Sequence, residues 1–131
     1  MWNLDGAHMR LARPTRDIDA AVRFWVDGLG MTLQGRKLED GAPYEELAFV
    51  GWPEAAWHLE IVKDAVVSPN PTEEDLLVLY LAGPIDEALI GRIKAAGGAA
   101  VEARNPYWNE HGVTVEDPDG YRLVLSTRDW S

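Results

Sequence analysis

Polar and apolar residues alternate along residues 8–14, HMRLARP: Met9 and Leu11 fall on one face and His8, Arg10 and Ala12 on the other, as in a half-buried strand. The period changes in TRDIDAAVRFWVDGLG, where Ile18, Ala21, Val22, Trp25 and Leu29 recur at helical spacing. Asp17 or Thr15 can cap that helix, and Gly28 or Gly30 can stop it. MTLQGRKL, YEELAFVG and AAWHLEIV then read as three short strands separated by glycine and proline. The stretch KDAVVSPNPTEED, residues 63–75, carries two prolines among turn formers and predicts a surface connection.

The same order follows again. LLVLYLA predicts a strand. GPIDEALIGRIKAAGG predicts a helix, with Pro84 near its start, Asp86 and Glu87 in the first turn, Lys94 near its end and Gly97-Gly98 as the stop. AAVEA, GVTVED and YRLVLS close the set as strands. The stretch NPYWNE between them reads as a loop carrying two large aromatics, a lid on the core or a ligand wall. Each half is therefore β-α-β-β-β, with a period of about 65 residues, too long for a solenoid. The expected organisation is a single α+β domain over residues 1–131, with one module over 1–65 and a second over 76–131, their sheets forming a curved cup with the helices outside.

Composition narrows the function classes. The 131-residue chain suits one domain. Its formal charge of -10 repels phosphate backbones, so a nucleic-acid partner is not expected, while a cationic small molecule would be attracted. No apolar run approaches the roughly 20 residues of a membrane helix, and MWNLDGAHMR lacks the features of a signal peptide. Absence of cysteine excludes disulfides, thiolate metal sites and thiol nucleophiles, and fits a cytoplasmic protein.

Period two also sorts the candidate chemistry. His8 and Arg10, His58 and Glu60, Arg122 with Val124 and Ser126, Tyr80 with Leu76 and Val78, and Thr114 with Glu116 would all face the cup. The candidate ligand cavity is therefore His8, Arg10, His58, Glu60, Tyr80, Trp108, Thr114 and Arg122. Glu60 would pair with Arg10 or Arg122, because a partly buried carboxylate needs a partner. His58 and Glu60 are the candidate proton carriers, and a ligand-contacting or structural role for His58 is the alternative. His111 lies in a polar stretch and is expected to be exposed. Trp130 would anchor the tail or meet a partner subunit. Asp117 and Asp119 belong to the turn that Pro118 and Gly120 shape. Glu45 and Glu46 point oppositely and cannot form a paired acid/base site.

The β-α-β-β-β duplication, together with RPTRDIDAAVRFWVDGLGM, HLEIV and EDPDGYRLVLS, resembles the vicinal oxygen chelate superfamily, which includes glyoxalase I, extradiol dioxygenases and fosfomycin- and bleomycin-resistance proteins. The stretch NPYWNEHGVTVEDPDGYRLVLS further resembles a bacterial subgroup of small glyoxalase-like proteins. The resemblance covers nearly the whole chain. It implies one divalent ion held by the first and last strands of each half, at positions falling on His8, Glu60, a residue near Leu76, and Val124. Leu and Val offer no lone pair, so only His8 and Glu60 remain as metal candidates and no cofactor is expected. A slip of one residue at EDLLVLY would offer Asp75 instead of Leu76 and return a three-ligand site. The resemblance also implies a homodimer and two functions. One is metal-free binding of a small organic ligand, as in bleomycin-resistance proteins. The other is a glyoxalase-type lyase or isomerase, using a non-standard metal site or Arg10 and Arg122 to stabilise charge while Glu60 or His58 moves a proton. True metal-dependent glyoxalase I activity is not expected.

Overall fold

A computed structural model describes residues 2–38 and 43–131. Strand β1 (Met9–Thr15) leads into helix α1 (Ile18–Arg23), whose first turn is capped by the Asp17 side chain accepting from the Ala20 N–H. The helix widens into a π-turn over Phe24–Gly28, and adjacent Phe24 and Trp25 are both buried. Gly30, at φ 79°, ends it in a conformation that favours glycine. Strands β2 (Thr32–Leu38), β3 (Tyr44–Gly51) and β4 (Trp57–Asp64) complete the first half. The second half runs β5 (Leu76–Tyr80), α2 (Glu87–Ala95), β6 (Ala99–Val101), α3 (Pro106–Glu110), β7 (Gly112–Glu116) and β8 (Arg122–Ser126). Helix α2 starts after Asp86, which accepts from the Ala88 N–H, so Pro84 lies outside it.

The strands form two four-stranded sheets ordered β1-β4-β3-β2 and β5-β8-β7-β6. In each, the first strand of the half runs parallel to the last, and the other pairs are antiparallel. This is the duplicated mixed-sheet α+β fold that the repeat predicted. Among the described residues no hydrogen-bonded ladder joins β1 to β5, the edge strands of the two sheets. The halves share one core instead, in which Phe24, Trp25, Leu59, Ile61, Ile93, Leu123 and Leu125 pack together. The helix ends meet closely, since a Cβ on Gly28 would lie 3.3 Å from that of Ala96.

A second junction is polar. The turn between β7 and β8 offers the Asp119 carboxylate to the Thr15 hydroxyl and to the Arg16 N–H at 2.9 Å. Beside it the Arg13 guanidinium lies 4.5 Å over the Tyr121 ring. Gly120, at φ 90°, and Pro118 shape this turn, and the Asp117 carboxylate ties it internally through the Asp119 and Tyr121 N–H groups. Asp117 and Asp119 are thus turn residues, and Asp119 also latches the second half onto the first.

The stretch read as the loop NPYWNE is in fact helix α3. Asn105 caps it by accepting from the Tyr107 N–H, and Pro106 takes the first helical position, where its missing N–H costs nothing.

Candidate functional site

On the first sheet, β1 and β4 run in register with Arg10 beside His58 and Ala12 beside Glu60. His8 Nε2 and His58 Nδ1 lie 2.7 Å apart, a hydrogen bond between two imidazoles. The Phe49 ring meets His58 edge-on at 6.0 Å. Space for that imidazole depends on Gly51, where a Cβ would fall 2.9 Å from the His58 Cβ. Desolvation, with the neighbouring His8 and Arg10 charges, holds His58 below the ordinary histidine pKa. Glu60 pairs with Arg10 at 3.8 Å. Arg122 is occupied elsewhere, by Glu116 at 3.2 Å and the Glu102 carbonyl.

The second sheet presents a different surface. Thr114, Val124 and Ser126 lie on its cup-side register, yet all three are buried at 0–2% exposure. Helix α3 contacts β7 and carries Trp108, whose ring lies 6.3 Å from Tyr80. Trp130 adds a second ring 5.4 Å from Tyr80, which ties down the tail although Trp130 itself stays exposed. His111 is half-buried against Tyr107 rather than exposed, because the α3 turn folds it back. The Thr114 hydroxyl is buried with no hydrogen-bond partner among the described residues.

Where the edges of β1 and β5 face each other, a cavity of about 280 Å³ opens. It is lined by Met9, Arg10 and Leu11 from β1, Trp57 and His58 from β4, and Leu77, Val78 and Leu79 from β5. Of the predicted site residues, Arg10 and His58 reach it directly, while His8 and Glu60 contact those two. Tyr80, Trp108, Thr114 and Arg122 do not line it. The apolar wall was not foreseen. Period two assigns alternate residues to opposite faces, whereas a cavity between strand edges touches consecutive ones.

The four positions where the resemblance implies a metal do not suit one. Leu76 and Val124 are aliphatic, His8 already bonds His58, and Glu60 already pairs with Arg10. Asp75 does not stand in, because its carboxylate accepts from the Thr72 N–H and hydroxyl. Among the described residues no group of three or more His, Cys, Asp or Glu side chains is arranged to hold an ion. Among the described residues no helix is long and apolar enough to cross a membrane.

Two family models match the sequence: the YycE-like N-terminal domain over residues 9–62 and the YycE-like C-terminal domain over residues 74–127. The YycE protein of Bacillus subtilis is 37% identical over 126 residues, covering 94% of this chain and 89% of that one. Its crystal structure superposes with a TM-score of 0.84 at 34% identity, over 96% of this chain and 93% of that chain. The Leishmania major glyoxalase I shares the fold with a TM-score of 0.69 at 18% identity, over 91% and 84% of the two chains. So does TnmS3, an antibiotic binding protein from Streptomyces sp. CB03234, with a TM-score of 0.64 at 21% identity, over 94% and 95%.

Proposed function

The chain belongs to the YycE-like family of the vicinal oxygen chelate superfamily, and on that basis we propose that it binds a small organic molecule at the seam between its two sheets, without the superfamily's usual metal site. The observation that carries this reading is the cavity itself, an apolar trough with two polar side chains, Arg10 and His58, at one corner. At about 280 Å³ it sits at the small end of ligand sites, which span roughly 300–1,000 Å³. TnmS3, with the same fold, is an antibiotic binding protein, which makes this use of the fold reasonable. Met9, Leu11 and the β5 leucines supply area removed from water on binding, and Arg10 and His58 orient the ligand. His8 holds the His58 ring through its 2.7 Å hydrogen bond.

One observation favours a second reading, a glyoxalase-type lyase or isomerase. The hydrogen-bonded His8–His58 pair, with His58 held below its ordinary pKa and Glu60 on the same face, could move a proton near neutral pH. In that case Glu60→Gln or His58→Gln would abolish turnover of an oxygenated substrate. A saturable ligand with no product separates the binder from the enzyme.

We infer further that the working unit is a homodimer in the cytoplasm. The exposed Trp2, Leu4 and Trp130 are apolar surface that a second copy would cover. Sedimentation of the purified chain as a monomer at micromolar concentration would refute the dimer.

Melting curves test the main reading. An organic ligand at a hundred times its Kd stabilises by about 2.7 kcal/mol, a shift of about 10 °C in a domain this size. Manganese, nickel and zinc should leave the curve unchanged. A shift of several degrees with any of these ions, or a stoichiometric ion in freshly purified protein, would contradict it.

A further inference from the structure

The polar corner of the seam cavity also indicates the charge of its ligand. Among the described residues no acidic side chain lines the cavity. Its polar side-chain groups, on Arg10, His58 and Trp57, are all nitrogen groups, and Arg10 and His58 stand side by side in the β1–β4 register. Among the described residues Arg10 donates no hydrogen bond, and Glu60 approaches it only to 3.8 Å. The Arg10 fork is thus held by the Glu60 charge without spending a hydrogen bond on it, and its N–H donors remain for a bidentate partner. His58 Nδ1 faces His8, which leaves Nε2 for a ligand. When His8 donates, His58 carries its proton on Nε2 and becomes a further donor beside Arg10.

We propose that the ligand of this cavity is a small apolar monocarboxylate. Its carboxylate sits between the Arg10 fork and His58 Nε2, and its hydrocarbon or aromatic body lies against Met9, Leu11, Leu77 and Leu79. The proposal rests on the small-molecule reading above and narrows it. It also reverses the expectation drawn from net charge. The -10 of the whole chain acts over distances at which salt screens it, about 10 Å at ordinary ionic strength, whereas the donors at the corner act in contact. A planar carboxylate matches a guanidinium in a way that an ammonium or a hydroxyl does not.

Titration calorimetry with phenylbutyrate, phenylbutanol and phenylbutylamine isolates the head group on a constant apolar body. The carboxylate should bind on the order of 10- to 100-fold more tightly than the alcohol, and the amine more weakly than both. Arg10→Met should erase the preference, and Arg10→Lys should keep part of it. The Arg10 side chain is 55% exposed, so neither change threatens folding, and circular dichroism verifies that. Glu60→Gln should tighten carboxylate binding several-fold by releasing Arg10, whereas the same change would weaken binding if Glu60 itself held the ligand. Equal binding of alcohol and carboxylate, or tighter binding of the amine, would overturn the carboxylate assignment and leave the small-molecule reading standing. Failure of all three to saturate would remove both.

Discussion

Replacing Val124 with Glu tests whether one substitution could return a metal ligand to this chain. The position is fully buried at 0% exposure, beside Thr114 on β7 and Val78 on β5. An added carboxyl there must either stay neutral or displace what covers it. Holding a Glu neutral at pH 7, against an ordinary pKa of about 4.3, costs roughly 4 kcal/mol. The longer side chain adds about 1–3 kcal/mol of overpacking. The unpaired Thr114 hydroxyl can donate to the new carboxyl and return about 1 kcal/mol. The net loss is about 4–6 kcal/mol, set against a total stability of roughly 5–15 kcal/mol. Burial raises the folded-state pKa of this carboxyl above its unfolded value. The deficit is therefore small below about pH 4 and grows as pH rises, at about 1.4 kcal/mol per unit, until the folded pKa is reached. Urea unfolding of wild type and variant near pH 5 and near pH 7.5, with metal analysis of each sample, measures all of this. Stability within 1 kcal/mol of wild type at both pH values, or a stoichiometric ion in the variant, would refute the reasoning.

Asp119→Ala should cost about 2–4 kcal/mol in urea unfolding, because the Thr15 hydroxyl and the Arg16 N–H lose their acceptor at a buried junction between the halves, and Asp119→Asn should cost less. A loss under 0.5 kcal/mol would show that the turn does not latch the halves. Burial pushes Asp117 up to about 6, so its proton stabilises the fold below the unfolded pKa near 4 and that contribution is lost as pH rises through about 6. Asp117→Asn, which keeps an acceptor for the two N–H groups, should therefore gain on wild type by on the order of 3 kcal/mol between pH 4 and 7, and a constant difference across that range would contradict the burial argument.

The strands and two main helices were legible because their periods are clean. WHLEIV and YRLVLS alternate apart from Val62 and Val124, and the structure sends Leu59, Ile61, Leu123 and Leu125 to the core as alternation requires. Helix α3 was misread because five residues hold too few turns to show a helical period, although Asn105 followed by Pro106 is a cap signal in its own right. Period two places Val124 on the cup face but carries no information on what packs over that face, so its full burial leaves no trace in the local pattern. The Glu60 partner was half legible: two arginines were candidates, and strand register selected Arg10 because β1 lies directly beside β4. The apolar wall of the cavity stayed hidden because no local pattern reports how far apart two sheet edges stand.

A small organic molecule in the seam between the sheets would leave its mark on the amides that line it. Amide chemical-shift mapping during titration with phenylbutyrate tests that occupancy most directly. Saturable shifts should concentrate on residues 9–11, 57–58 and 77–79, with residues 106–110 and 122 unmoved. Shifts centred on the Trp108 and Arg122 side of the second sheet, or an unchanged spectrum, would contradict it.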